Sequence, residues 1–176
     1  DTAGSIQQVP IVYGARLSGS INKDWRVSTL NMLTQEKETL GLPNQLYTVA
    51  TLQRNFWKQS NIAVTYVDKQ SLGVSRLDSM KYFNRELWQP RVNNNDTTWV
   101  LNNYNRVITA DLELLSSDNR WSGSFFYSAS FDPHLEGKNQ SGLAFVNFRS
   151  RNFQAMYGES FIQENYNAEE IGRAHV

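Results

Sequence analysis

Two carboxylates stand two residues apart in the stretch V-I-T-A-D-L-E-L-L, which begins at Val107. In an extended strand Asp111 and Glu113 share one face, which is the arrangement that a carboxylate pair needs for acid and base catalysis. Acidic side chains along a hydrated surface are nevertheless far more common than catalytic pairs, and no nucleophile motif accompanies these two. We therefore interpret them as polar surface residues, and the sequence predicts no catalytic residue.

A second candidate arrangement lies in the loop D-P-H-L-E-G, where His134 stands between Asp132 and Glu136. These side chains can ligate metal ions, but three ligands on one flexible loop without a partner cluster make a weak site. No Gly-rich phosphate loop or zinc-binding helix motif occurs in the chain. We expect a solvated loop here, and we predict no metal and no cofactor.

A third candidate is the run K-Y-F-N-R-E-L-W-Q-P-R, residues 81–91, which mixes aromatic and basic side chains. Surfaces that bind sugars or peptides have this composition. A cluster of loop residues that folds over the mouth of a barrel explains the run equally well. Tyr82, Phe83, Trp88 and Trp99 are therefore candidates for a loop binding surface for sugar or peptide, and both interpretations stay open.

The composition excludes some partners and leaves others open. Lys plus Arg and Asp plus Glu both total 17, so no net charge favours nucleic acid, which we exclude as a partner. The absence of cysteine excludes a disulfide framework and thiolate metal sites. No apolar run is long enough for a transmembrane helix, and the first residues carry no signal-peptide pattern.

The elements that position these residues are strands, because the apolar residues recur at a period of two. From Val107 to Phe131 two alternating arms flank the turn S-S-D-N-R, which predicts a hairpin. Its apolar face contains Ile108, Ala110, Leu112, Leu114, Trp121, Gly123, Phe125, Tyr127, Ala129 and Phe131. The opposite face carries Thr109, Asp111, Glu113 and serines, with Phe126 as the exception. The alternation alone leaves a soluble sandwich and a membrane barrel open.

The connections between predicted strands alternate between short and long along the whole chain. Short links fall near residues 21–24, 56–60, 116–120 and 151–152, and the longest connection, 69–104, is predicted to be an irregular insertion. Outer-membrane barrels have short turns at one end and long loops at the other. Aromatic residues at the short links also suit a membrane interface: Trp25, Phe56, Trp57 and Trp121.

The pattern thus predicts an all-β fold, an antiparallel up-and-down meander of about eight strands that forms part of an outer-membrane-type β-barrel. The expected location is the bacterial outer membrane, and the expected partner is the lipid bilayer. The apolar faces are predicted to meet lipid, and the polar residues Arg16, Thr109, Asp111 and Glu113 to line the lumen. The alternative is a soluble β-sheet domain that binds carbohydrate.

Several segments resemble the barrel domain of a family of Gram-negative envelope proteins, a domain of unknown function. They are I-V-Y-G-A-R-L-S-G, L-N-M-L-T, Y-T-V-A-T-L-Q-R-N-F, S-N-I-A-V-T-Y-V-D-K-Q-S, N-R-V-I-T-A-D-L-E-L and E-N-Y-N-A-E. Members of that family look like a carbohydrate-binding-type module followed by an outer-membrane-like barrel. The resemblance implies a passage, an anchor or a display platform, linked to carbohydrate through a module that this chain lacks.

The resemblance also suggests where the domain ends. Residues 1–170 are predicted to be a partial barrel domain, and residues 171–176, I-G-R-A-H-V, resemble the translation of a sequencing adapter and are predicted to be a non-native tail. The family pattern would continue with another strand after Glu169. We therefore expect the first and last strands not to pair with each other.

Overall fold

A single antiparallel sheet organises the chain. A computed structural model describes residues 9–57, 59–74, 88–93, 96–133 and 137–168. The strands in chain order are β1 (Ile11–Ser20), β2 (Trp25–Thr34), β3 (Asn44–Phe56), β4 (Ser60–Leu72), β5 (Trp88–Asn93), β6 (Asp96–Leu101), β7 (Tyr104–Leu115), β8 (Trp121–Phe131), β9 (Gln140–Arg149) and β10 (Gln154–Ile162). Eight of them form one open sheet in the order β1-β2-β3-β4-β7-β8-β9-β10, and β5 pairs only with β6. The predicted all-β meander is confirmed.

The two ends of the sheet differ in the length of their connections. Because every neighbouring pair is antiparallel, the turns at residues 21–24, 57–59, 116–120 and 150–153 all lie at one end, which we call the turn end. Hydrogen bonds join neighbouring hairpins there, from the Asn55 amide to the Asp24 carbonyl at 2.7 Å and from the Arg149 amide to the Arg120 carbonyl at 2.8 Å. The long connections lie at the opposite, loop end. The expectation that all short links share one end is confirmed.

The long connection is shorter than the sequence suggested, and its described part forms two strands. Strand β4 continues to Leu72 and β7 begins at Tyr104, so the connection covers residues 73–103 and contains the β5–β6 hairpin. The prediction of a wholly irregular insertion was therefore wrong. Proline is disfavoured in a central strand, but both strands of a two-stranded hairpin are edges, where Pro90 is tolerated.

The pairing register separates two faces of the sheet. Side chains of directly paired residues share a face, so the pairs Val27–Leu52, Leu52–Val64 and Val64–Ala110 define a continuous apolar face across β2, β3, β4 and β7. The polar face contains Arg16, Ser18, Ser28, Thr51 and Thr65 on the first four strands. The faces predicted for β4, β7 and β8 agree with this register.

The faces of β2 could not be read from its sequence, and its neighbours explain why. Thr29 and Asn31 lie on the apolar face between Val27 and Leu33, which interrupts the alternation. The Asn31 side chain is satisfied there, because its amide donates to Thr48 Oγ1 at 2.8 Å. Thr29 and Asn31 therefore break the alternation of apolar and polar residues in β2, so its two faces cannot be assigned from this strand alone.

The strands are staggered along their length from one side of the sheet to the other. One row of paired residues runs Trp25–Arg54–Ile62–Leu112–Phe125–Ala144–Glu159. It starts at the first residue of β2, at the turn end, and reaches β10 five residues beyond Gln154, its first residue. Over these six strand-to-strand steps the drift is about 17 Å along the strands and about 29 Å across them, which corresponds to a tilt of about 30°. Closed barrels tilt by about 35–45°.

Candidate functional site

The apolar face is exposed over its whole width. Leu17 on β1 is 68% exposed, Val64 on β4 and Ile108 on β7 are each 45% exposed, and Tyr157 on β10 is 65% exposed. Among the described residues no element forms a second layer over this face. Monomers that live in water rarely show apolar patches of this extent. The described strands therefore present an unusually large exposed apolar surface.

Aromatic rings follow the turn end of the apolar face. Trp121 contacts Phe148 with ring centroids 4.7 Å apart, and Phe148 lies 6.2 Å from Phe153. At the turn end of β3, Phe56 and Trp57 meet edge to face, with ring centroids 5.1 Å apart. The Arg54 guanidinium lies over the Trp25 ring at 5.3 Å from its centroid. The predicted turn-end positions of Trp25, Phe56, Trp57 and Trp121 are confirmed. Together with Phe148 and Phe153 these residues form what we call the aromatic belt.

Apart from Glu159 on β10, charge appears on the apolar face of the described strands again only near the loop end. There Arg106 Nε donates to Asp68 Oδ1 at 2.9 Å, and its guanidinium lies 4.6 Å from the centroid of the Tyr104 ring. On β8 the band between the two ends runs from Trp121 to Phe131. Those ten steps cover about 33 Å along the strand, or about 29 Å in height at a tilt of about 30°, which is slightly more than the apolar band of about 25 Å in outer-membrane barrels.

One carboxylate interrupts the middle of this band in the described strands. Glu159 on β10 shares the face with its paired residue Ala144, and its Oε2 accepts a hydrogen bond from the Tyr157 hydroxyl at 2.8 Å. Both residues lie on the last strand of the sheet, which has no neighbour beyond it among the described strands. The exception is therefore confined to the sheet edge.

The polar face holds the residues predicted to line a lumen. Thr109, Asp111 and Glu113 follow each other along β7, and Glu113 Oε1 accepts a hydrogen bond from Ser124 Oγ at 2.6 Å. Arg16 lies on the same face of β1, separated from β7 by three strands. The structure therefore places all four on one face without gathering them into a catalytic site.

A row of hydroxyl groups crosses the polar face, and no single strand reveals it. Direct pairing joins Ser18, Ser28, Thr51, Thr65, Thr109, Ser128 and Ser141 across β1 to β9. Thr51 Oγ1 and Thr65 Oγ1 lie 3.1 Å apart and share a hydrogen bond. Cross-strand hydroxyl pairs of this kind stabilise neighbouring strands. The row becomes visible only when the pairing register of the strands is known.

Water does not reach the whole of this face. Thr109 is 4% exposed and Ser128 is fully buried, because residues 163–168 turn back over them. Towards the β10 edge the face also changes character, with Leu143 and Phe145 on β9 and Met156 on β10 pointing to the same side as the serines. The expectation of a uniformly wet face was therefore too simple.

The candidate residues in the loops are only partly covered by the structure. Tyr82, Phe83, His134 and Glu136 lie outside the described residues. Trp88 lies in β5 and Trp99 lies in β6, but the structure describes only the backbone of these two residues. In the part of the chain that the structure describes, no cluster of metal ligands occurs. No helix there is long and apolar enough to span a membrane.

Comparisons of the chain with protein-family models, with curated protein sequences and with solved structures found no match.

Proposed function

We propose that the chain is part of an outer-membrane β-barrel that serves as a passage, an anchor or a display platform. The observation that carries this proposal is the exposed, apolar band between an aromatic belt at the turn end and the Arg106–Asp68 ion pair at the loop end. The lipid bilayer is the partner whose chemistry fits that band. The all-β meander, with its alternating loop lengths, supports the same assignment.

The energetics favour lipid over water at this face. Burying one large apolar side chain contributes about 1.5–3 kcal/mol, and the face displays many of them to the surroundings, including Leu17, Leu52, Val64 and Ile108. A soluble sandwich recovers that energy by packing a second sheet against the apolar face. Here the segment that folds back, residues 163–168, covers the polar face instead. Lipid hydrocarbon would bury this apolar face in the proposed barrel.

The open edges support the view that the barrel has further strands. Strands β1 and β10 each have a single neighbour in the sheet, and every residue in both is exposed. Unpaired strand edges are excluded from hydrocarbon, since their amide and carbonyl groups would lose water without gaining partners. Additional strands beside β1 and β10 would satisfy them. The resemblance to the barrel domain of Gram-negative envelope proteins is consistent with this arrangement, and with a separate module for carbohydrate.

Spin labels on the native protein in its own membranes test the proposal. The chain contains no cysteine, so a single introduced thiol gives an unambiguous label. We expect a label at Leu112, on the apolar face, to be relaxed by oxygen dissolved in lipid and protected from a water-soluble relaxant. A label at Asp111, its neighbour on the polar face, should show the opposite preference. If Leu112 responds to the aqueous reagent alone, or if alkaline carbonate extracts the protein from membranes, the proposal is wrong.

A further inference from the structure

We infer that residues 163–168 form a strap that closes part of the interior at the loop end, and that its release widens the passage. This inference rests on the proposed barrel. The strap follows β10 directly and begins with a tight turn, in which the Tyr166 amide donates to the Gln163 carbonyl at 3.1 Å. The chain thereby reverses at the loop end and crosses back over the polar face instead of continuing away from the sheet.

Hydrogen bonds hold the strap to two of the strands beneath it. The Tyr166 hydroxyl donates to Ser128 Oγ at 2.9 Å, and the Asn167 amide donates to Ser130 Oγ at 2.8 Å, so both bonds end on β8. From β7, Asn105 Nδ2 donates to the Asn167 carbonyl at 2.9 Å. The strap therefore occupies hydroxyl and amide groups that would otherwise face the interior.

An apolar contact completes the attachment. Ala168 packs with Val67 of β4 and Val107 of β7, and Val107 is fully buried. These three residues are the buried apolar core of the described chain, and they lie on the polar face. A segment that merely trailed in solvent would leave Val107 exposed. The fold thus buries its few core residues under the strap.

The strap leaves the opposite part of the polar face open. A hollow of about 290 Å³ remains over the turn-end halves of β1, β2 and β3, lined in part by Ser18, Arg26, Ser28 and Gln53. A solute that enters at the loop end therefore meets the strap over β7 and β8 first, and reaches the uncovered polar hollow of β1 to β3 only towards the turn end. We infer that the strap sets the width of the passage at the loop end.

A reversible cross-link tests this inference. In the native protein, Ser130→Cys together with Asn167→Cys removes the hydroxyl contact and replaces it with a disulfide when oxidised. The backbone amide of Asn167 lies 2.8 Å from Ser130 Oγ, so the two residues are in direct contact. A matched control pair, Ser18→Cys with Ser28→Cys, joins directly paired residues of the same face away from the strap. Conductance is measured in planar bilayers under oxidising and then reducing conditions.

We expect reduction of the strap pair to raise conductance about twofold, because a peptide layer about 10 Å thick no longer blocks one side of the interior. The control pair should show no change. Tyr166→Phe, which removes only the bond to Ser128, should shift conductance in the same direction without a cysteine.

The outcomes separate the strap from the barrel. A protein that inserts and forms the disulfide, yet conducts equally in both states, overturns the strap and leaves the barrel standing. The strap is also wrong if the control pair oxidises and the strap pair does not. A protein that never integrates into the bilayer refutes the proposed barrel, and the strap's role in a passage falls with it.

Discussion

An arginine at Val64 should separate the membrane assignment from every soluble alternative. Val64 lies on the apolar face of the central strand β4 and is 45% exposed, so the substitution meets the surroundings rather than a packed core. It stands four residues from Ser60, the first residue of β4 at the turn end. Four steps along a strand tilted by about 30° correspond to about 11 Å of depth, close to the centre of an apolar band about 25 Å tall.

The expected cost follows from that depth. An arginine on the lipid face at mid-membrane costs about 2–4 kcal/mol, whereas one near the interface costs about 0–1 kcal/mol. Val64→Arg should therefore lower the free energy of unfolding by about 2–4 kcal/mol in lipid vesicles. Leu114→Arg, at the turn end beside Trp57 and Trp121, should cost about 0–1 kcal/mol.

The matched control is Ala63→Arg, one residue away on the opposite face. Ala63 pairs directly with Asp111, so the new guanidinium gains a carboxylate neighbour and a polar environment. Thr109→Arg is a poorer control than the sequence suggests, because Thr109 is only 4% exposed and lies beside the buried Ser128.

The assay is urea unfolding of the native protein in phosphatidylcholine vesicles, followed by tryptophan fluorescence. Equal losses for Val64→Arg and Leu114→Arg would refute the reasoning, since only a bilayer makes the cost depend on depth. A larger loss for Ala63→Arg than for Val64→Arg would reverse the two faces. In a soluble protein whose apolar face packs on another sheet, no such gradient between the centre and the turn end is expected.

Two further substitutions test local features. Gly142→Val should destabilise the sheet by about 1–3 kcal/mol, because a Cβ there would lie 2.5 Å from Phe161 Cε1, whereas Gly19→Val meets open space and should cost far less in the same urea titration. In the β7–β8 turn, hydrogen bonds from the Ser116 hydroxyl and the Arg120 amide lower the pKa of Asp118 below 3.8. Its stabilisation should therefore be present above that value and be lost as the pH falls through the lower folded pKa. Asp118→Asn should flatten this acid dependence of the unfolding midpoint, and an unchanged pH profile would contradict the assignment.

The strands with clean alternation could be predicted from their own residues. In β7 and β8 nearly every second side chain is apolar, and the register places them on one face as expected. Strand β2 could not be assigned, because the polar residues Thr29 and Asn31 lie on its apolar face, where Asn31 donates a hydrogen bond to Thr48 of β3. The face on which each residue of β2 lies follows from its pairing with the neighbouring strands and not from its own sequence.

The strap and the hydroxyl row were invisible in the sequence for the same reason. The segment E-N-Y-N-A is polar and lacks a period, so its return over β8 depends on partners about forty residues earlier, Ser128 and Ser130. The hydroxyl row unites residues from seven strands, and each of them alone is an ordinary serine or threonine. Chain order contains no local signal for either arrangement.

The strap also constrains the circumference of any barrel built on this sheet. An eight-stranded barrel has an interior just wide enough for its own side chains. The strap adds a length of backbone with the Tyr166 ring inside that space, and it lies against side chains that already point inward. A barrel that encloses the strap as well as these side chains must be wider, so it needs more strands than the eight in this sheet. Strands β1 and β10 would then each pair with a further strand before the barrel closes.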